Sequence, residues 1–409
     1  MNIYISGISG TGMGPLALMA KKAGFTVWGS DLMRGAIYDE LVGAGIEVEI
    51  GSQDGKFLKS KLDDGVDWFV YTSALPEDHA ELMLAKEAGV KRTKRDDFTA
   101  FLVKELGLKM VAVAGTHGKT TTTAMIIWAS LKLGLPIAYI VGTTLGFSVS
   151  GSYKAGDEYF VYEADEYDRN FLKYHPWLAV IPAVSYDHPD IYHTREEYKK
   201  AFEQFEFQSK KVIKKSSFSE SDFKLAGKVR REDATLAAEA ILAMDASIAR
   251  KKIIEILNEF PGVGRRFEKI AKGVYTDYAH HPEEIKATMD VVKDEKKLHK
   301  YEGIVVVYQP HQNTRQYEVR DDYVDAFLGA DKIYWLPTYL TREDPSLPVL
   351  TPDDLISGLL NKDVAESAEV GDDLAERLRR YIDDEYLVIL MTAGPADEWL
   401  RKNLSGYKV

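Results

Sequence analysis

Met110 to Ala114 reads as a buried strand that runs directly into GTHGKTTT and then into a long helix from Thr121. Strand-turn-helix units of this kind, when repeated, make a parallel sheet with ligands at its strand ends, so the chain is expected to be α/β. At such a turn the backbone N–H groups and the positive helix end can face a phosphate. Gly115 and Gly118 would let the backbone approach the anion without a Cβ clash. Lys119 would supply the compensating charge, and the Thr120 hydroxyl is placed to ligate Mg²⁺. The remaining loop residues, Thr116, His117 and Thr121, complete the expected nucleotide site. The strict G-x-x-x-x-G-K-[ST] pattern fails because position 113 is Val. A plain strand-helix turn with an incidental lysine is the alternative, and the GKT core in this context argues against it.

Two further α/β units flank this one. Before it, Asn2 to Ser6 is a short apolar strand leading through Gly7, Gly10, Gly12 and Gly14 into a helix around Leu16 to Ala23. Strands follow at Thr26 to Gly29, ending at Asp31, and at Trp68 to Tyr71, ending in Thr72, Ser73 and Ala74. After it, a PGVG hinge at Pro261 to Gly264 opens a run of strands at Val274 to Asp277, Ile304 to Tyr308, Lys332 to Leu336 and Leu387 to Met391. Domains are expected at residues 1–104, 105–262 and 263–409, with hinges near Leu106 and Gly262. A length of 409 residues suits this division.

Composition removes several function classes. A net charge of −12 argues against a surface built to neutralise nucleic-acid phosphates. With no cysteine, disulfides, thiolate nucleophiles and Cys-ligated zinc are excluded. The first residues lack a basic start and a long apolar core, and no apolar run approaches the roughly 20 residues of a membrane-spanning helix, so a cytoplasmic location without membrane insertion is expected. The lysines of Ser209 to Lys215, SKKVIKK, read as a solvated edge.

Other segments carry polar residues at strand ends. Tyr159 to Tyr162 empties into EADEYDRNFL, Glu163 to Leu172, whose oxygens suit a hard cation, although a bare acidic run is usually a solvated loop. Leu178 to Ala183 is the next expected strand and runs into SYDHPDIY, Ser185 to Tyr192. Further on stand GVGRRFEKIAKGVYTDYAHHPEEIKAT, Gly262 to Thr288, and YQPHQNTR, Tyr308 to Arg315.

Taken together these motifs resemble the Mur ligase family of bacterial cell-wall synthesis, over residues 2 to about 400. AGTHGKTTT is similar to that family's phosphate loop, EADE to its carboxylate motif, and RRFE, DYAHHP and YQPHQNTR to its carboxyl-terminal signatures. GISGTGMG, Gly7 to Gly14, looks like its amino-terminal GIGGxGM motif. The resemblance implies a three-domain architecture: a Rossmann-like domain for a UDP-sugar, a central P-loop ATPase domain and a Rossmann-like carboxyl-terminal domain. It implies that Gly10, Thr11, Gly12 and Met13 bind the uridine diphosphate, with Asp31 and Ser73 as sugar or uracil contacts for which a capping role is as good a reading. Glu163 and His188 would join Thr120 at Mg²⁺. Arg266, with Arg265 as a second candidate, would reach ATP phosphates, Asp277 would contact the nucleotide, and His281, His311 and Arg315 would hold the amino acid. Lys119, His188 and Arg266 are the expected catalytic set, because paired guanidinium bonds and fixed cations stabilise charge moving onto a leaving group.

In the branch that is most similar, the carboxylate of UDP-N-acetylmuramate attacks the γ-phosphate of ATP and L-alanine then displaces phosphate from the acyl phosphate to form an amide. An acyl phosphate hydrolyses in water, which gives a reason for closure before it forms. The competing readings are a ligase that recycles a whole peptide, another amide ligase such as a folylpolyglutamate synthetase, and a UDP-sugar-binding relative without catalysis. The chain also departs from the family. Pro182 and Ala183 stand for Thr-Asn, Ser9 for a glycine and Gln312 for an arginine of some members. GKVRREDA, Gly227 to Ala234, stands for G-x-H-N-x-x-N-A, with Val229, Arg230 and Asp233 replacing the histidine and both asparagines. The chain is shorter than typical members, between Phe205 and Thr235.

Overall fold

The computed structural model describes residues 1–72, 75–186, 191–341 and 343–406. Two expected site residues, Ser73 and His188, lie outside the described residues. Among the described residues the strands form three sheets. The first holds β1 (Asn2–Ser6), β2 (Thr26–Asp31), β3 (Glu47–Ile50), β4 (Trp68–Tyr71) and β5 (Lys91–Lys94) in the order β3-β2-β1-β4-β5, all parallel. The second holds β6 (Lys109–Val113), β7 (Ile137–Ile140), β8 (Gly151–Ser152), β9 (Tyr159–Glu163), β10 (Leu178–Val180) and β11 (Val212–Ile213) in the order β11-β10-β6-β9-β7-β8. The third holds β12 (Glu268–Ala271), β13 (Val274–Asp277), β14 (Ile304–Gln309), β15 (Lys332–Trp335), β16 (Ala365–Ser367) and β17 (Leu387–Thr392) in the order β12-β13-β17-β14-β15-β16. Only the β7–β8 and β12–β13 pairs are antiparallel among these described strands.

The central strands are apolar on both faces because helices cover both sides of a parallel sheet. Every residue of β17 is buried, as are the first five of β14 and the last four of β6. That burial is why such strands read as continuous apolar runs, and why their ends, where the polar residues begin, mark the site.

The chain divides into two compact units. One comprises Met1–Phe223 with Glu232–Phe260, and the other Lys224–Arg231 with Pro261–Val409. Within the first unit a single buried apolar cluster runs from Leu16 and Met19, on the helix Gly14–Lys22, through Phe98 and Leu102 to Ala138, Ile140 and Tyr162 of the second sheet. Ser150 adds a polar tie: its N–H and hydroxyl both donate to the Glu40 carboxylate, at 2.8 and 3.0 Å. Within the second unit Gly227 N–H donates to Asp294 at 3.2 Å, and a Cβ at Gly227, where φ is +83°, would strike Val291. The Gly227–Arg231 segment is thereby fastened to the helix Pro282–His299.

The expected strand Leu178 to Ala183 stops at Val180. Pro182 cannot donate to a ladder, and the Ala183 carbonyl accepts instead from Thr116 N–H at 2.8 Å, serving the phosphate loop. The SKKVIKK segment holds β11, an edge strand with its lysines exposed, as the charge pattern implied.

Candidate active site

In the first two sheets the strand that comes first in sequence lies between later strands on both sides, so the strand order reverses there. The crevice at such a switch point is where open α/β sheets bind ligands. β6 lies between β9 and β10, so the phosphate loop after β6, the EADE segment after β9 and the segment after β10 leave from adjacent strands.

The loop's backbone geometry suits a phosphate. Gly118 caps the helix Lys119–Leu133 with φ +78°, a left-handed conformation costly to any residue with a Cβ, and Gly115 has φ +154°. A Cβ at Gly118 would lie 2.5 Å from Asp233 Oδ1 and 3.1 Å from Pro182 Cβ. Two of the residues that depart from the family, Pro182 and Asp233, therefore pack against the loop itself. Thr116 is tied down, its hydroxyl donating to the Ser185 carbonyl at 2.6 Å and lying 2.8 Å from Tyr198 Oη. His117 is exposed at the loop's tip and Thr121 is half-buried.

Lys119 Nζ donates to the Gly115 carbonyl at 2.6 Å and forms an ion pair with Glu166 at 2.9 Å. The Glu166 side chain is 1% exposed. Burial pushes its carboxyl above the usual range against the pull of Lys119. The acidic run pointed to Glu163, and the structure also brings Glu166 to the loop, where it pairs with Lys119. Both residues were visible in the sequence, but nothing in the run said which would be buried beside the lysine. Thr120 Oγ1 donates to Glu163 Oε1 at 2.9 Å. A hydroxyl and a carboxylate converging beside a phosphate cradle are the hard oxygen donors that Mg²⁺ takes, so the residues present fit that ion.

At the first sheet, β1 lies between β2 and β4, and the Gly7–Gly14 turn leaves its end. Gly7 N–H and Ile8 N–H donate to the Ser30 carbonyl at 2.8 and 3.1 Å. Asp31 accepts from Ser9 N–H at 2.9 Å and from Leu32 N–H at 2.8 Å, so its carboxylate organises the turn. Gly10 accepts from Met13 and Gly14 N–H through its carbonyl, while Met13 is buried and Thr11 exposed. Beneath the turn lies Glu81, fully buried, whose oxygens accept from Tyr4 Oη at 2.6 Å, Ser6 Oγ at 2.6 Å and Ser30 Oγ at 2.7 Å. Gln53 Nε2 donates to Ser30 Oγ at 2.9 Å and closes the network. Sequence reasoning missed Glu81 because a glutamate in a helix's first turn is normally read as a dipole partner on the surface.

In the second unit, Arg265 and Arg266 separate in role. The Arg265 Nη2 donates to the Thr392 carbonyl at 2.6 Å, while the Arg266 side chain has no hydrogen-bond acceptor among the described residues and its guanidinium lies 5.4 Å from the Tyr278 ring centroid. Asp277 is buried and accepts from Phe267 N–H at 2.7 Å, Ala279 N–H at 2.8 Å and Thr288 Oγ1 at 3.2 Å. Burial raises its pKa against the pull of Arg266. His281 caps the helix Pro282–His299 in a reciprocal box with Glu284. His311 sits 5.6 Å from the His280 ring, and its Nδ1 and the Arg315 Nη1 are buried polar atoms without a hydrogen-bond partner among the described residues. Such orphans call for a ligand, since stranding a buried donor is costly. Burial, then His280 and Arg315, lower the His311 pKa to about 4, so its ring is neutral near pH 7. His280 was not singled out in the sequence, where the family resemblance pointed to His281 of the HH pair.

Comparison with known proteins agrees with this reading. The family profile described as "Mur ligase family, catalytic domain" matches residues 2–105, and "Mur ligase middle domain" matches residues 113–232. The chain is 30% identical to the UDP-N-acetylmuramate–L-alanine ligase of Clostridium acetobutylicum, covering 96% of this chain and 95% of that protein. Among solved structures, the UDP-N-acetylmuramate–alanine ligase of Thermotoga maritima superposes with a TM-score of 0.78 at 23% identity, over 99% of each chain. A murein peptide ligase from Psychrobacter arcticus gives a TM-score of 0.62 at 21% identity, over 99% of this chain and 98% of that one. These two share the fold. With a phosphate cradle, a carboxylate strand end and near full-length identity at this level, the chain belongs to the Mur ligase family.

Proposed function

We propose that the chain is an ATP-dependent ligase joining L-alanine to the carboxylate of UDP-N-acetylmuramate in the cytoplasm, as a step of peptidoglycan precursor synthesis. The observation that carries this reading is the convergence of Lys119, Thr120 and Glu163 at one glycine-rich strand end, beside a chain-long likeness to a muramate–alanine ligase. The division into domains at 1–104, 105–262 and 263–409 belongs to the same proposal. Among the described residues no helix is long and apolar enough to cross a membrane.

In the reaction a carboxylate oxygen of the muramate forms a bond to the γ-phosphorus of ATP while the bond to the bridging oxygen breaks, releasing ADP. The amine of L-alanine then attacks the acyl carbon, phosphate leaves, and the amine's proton passes to solvent or a base. Little covalent chemistry falls to the protein; positioning and charge neutralisation are its contribution. The phosphate-loop N–H groups and Lys119 would hold the triphosphate. Thr120 and Glu163, with His188, would hold Mg²⁺, which when bound neutralises phosphate charge. Arg266 is the side chain left for a phosphate, because Arg265 is committed to backbone carbonyls. The orphaned atoms of His311 and Arg315 would take the amino acid carboxylate, with His281 as a further contact to the amino acid.

Gly10, Thr11, Gly12 and Met13 would hold the uridine diphosphate, over a turn built by Asp31, with Ser73 as a further contact. Asp277 would act at the nucleotide through the turn it organises. Mass spectrometry of a mixture of the protein, MgATP, UDP-N-acetylmuramate, amino acids and a muropeptide tests this. UDP-N-acetylmuramoyl-alanine is the expected product. A peptide adduct would move the chain to the recycling activity, and UDP-sugar binding with no ADP formed would make it a non-catalytic relative.

A further inference from the structure

We infer that Arg95 is a binding residue for the diphosphate of the nucleotide sugar, and that Asp96 fixes the orientation of its guanidinium; this rests on the UDP-sugar reading of the amino-terminal turn. Arg95 is the first residue of the helix Arg95–Glu105, directly after β5. Its Nε and Nη2 both donate to Asp96 Oδ1, each at 3.1 Å. Asp96 is 4% exposed and also accepts from Tyr174 Oη at 3.0 Å and Tyr162 Oη at 3.3 Å. Oδ1 therefore takes four hydrogen bonds from three residues and offers the guanidinium one fixed acceptor.

The remaining guanidinium nitrogen faces the glycine-rich turn. A Cβ built on Gly12 would lie 2.9 Å from Arg95 Nη1, with the arginine's Cδ and Cζ at 3.8 and 3.9 Å. Only a glycine at position 12 leaves room for the guanidinium at this distance. Nη1 has no acceptor among the described residues, nor do the backbone N–H groups of Thr11 and Gly12 beside it. The turn thus gathers donors and a positive charge at one place, on a half-buried side chain, with no acidic group of its own facing them: Asp31 is turned to Ser9 and Leu32, and Asp96 is spent on Nε and Nη2. A guanidinium with one edge clamped and one nitrogen presented suits a phosphate oxygen, and a lysine could not both pair with Asp96 and reach the turn.

Calorimetric titration of the full chain with UDP and with uridine separates the possibilities, since the two ligands share base and ribose and differ in the diphosphate. Arg95→Met is expected to weaken UDP by about 10- to 100-fold, the range of a charged hydrogen bond, and uridine by less than about twofold. Arg95→Lys keeps a cation beside the buried Asp96, so it guards against a variant that merely fails to fold, and is expected to lose most of the same UDP affinity. Unchanged UDP affinity in either variant overturns the assignment, as does a parallel loss for UDP and uridine, which would mean the arginine only shapes the turn. A wild-type chain that binds uridine as tightly as UDP, or binds neither, overturns the nucleotide-sugar reading itself and the role of Arg95 with it.

Discussion

Replacing Lys119 by Met removes the ammonium and keeps most of the apolar stem, and its effect on stability separates from its effect on catalysis. In the folded chain Lys119 is 16% and Glu166 1% exposed on their side chains, so the variant leaves a carboxylate inside without its cation. Breaking a buried pair in this way costs about 3–5 kcal/mol. Glu166 can escape by taking a proton, and holding a glutamate of ordinary pKa near 4.3 neutral costs about 1.4 kcal/mol per pH unit above that value. The ceiling on the loss is therefore about 5 kcal/mol at pH 8 and about 2 kcal/mol near pH 6. The sign follows from linkage: a carboxyl whose folded pKa is raised contributes stability at low pH that is lost as pH rises through that value. We expect Lys119→Met to lose about 3 kcal/mol at pH 8, a fall in Tm of about 6–12 °C for a unit of this size, and distinctly less at pH 6. Adding Glu166→Gln should recover most of the loss at pH 8 without restoring turnover. Urea denaturation at the two pH values reads the stability, and ADP release reads the turnover. A loss below about 1 kcal/mol at pH 8, a loss that does not shrink on acidification, or a double variant as unstable as the single one would refute the pairing argument.

Three other perturbations reach different parts of the molecule. Gly118→Ala must place a Cβ at φ +78° and 2.5 Å from Asp233 Oδ1; about 1–2 kcal/mol of stability should go with the left-handed backbone, and ATP affinity measured by calorimetry should fall at least tenfold, with wild-type affinity speaking against the cradle. Glu81→Leu strands the donors of Tyr4, Ser6, Ser30 and Gln53, and should cost about 3 kcal/mol in a urea titration, whereas Glu81→Gln should cost about 1. His311, with its pKa near 4 against an unfolded value of about 6.5, makes stability fall as pH drops through that interval, because the unfolded chain takes the proton first. An NMR titration should find its ring neutral at pH 6, and a midpoint near 6.5 would show that burial does not act on it.

Much of this was legible in the sequence where one physical rule dominated. Strands buried on both faces, such as β6, β14 and β17, announce themselves as apolar runs, and glycines that turn a strand into a helix mark the ends of β1 and β6. Shorter strands were not found: β8 and β11 have two residues each, and β3 and β5 are partly or fully exposed, so neither run length nor burial distinguishes them from loops. Candidate site residues with a motif of their own stand out in the sequence, whereas Glu166, Glu81, Arg95 and His280 do not. Their importance comes from a partner far away in sequence: Glu166 meets Lys119, Glu81 meets Ser6 and Ser30, Arg95 meets Gly12, and His280 meets His311. A single sequence gives no sign of which glutamate or arginine will be buried beside which donor. Asp233 shows the converse. It stands where the family has an asparagine, and the structure places its carboxylate against Gly118 of the glycine-rich loop.

The central chemical claim is that the muramate carboxylate, not a water molecule, takes the γ-phosphoryl group. It is tested by running the reaction with UDP-N-acetylmuramate labelled with ¹⁸O in its carboxylate and analysing the inorganic phosphate by mass spectrometry. One labelled oxygen per phosphate released is the predicted result, because the oxygen that attacks phosphorus leaves with it when the amine displaces phosphate. Unlabelled phosphate accompanying amide formation would contradict the account, since it would require the carboxylate to be activated by some route other than phosphoryl transfer.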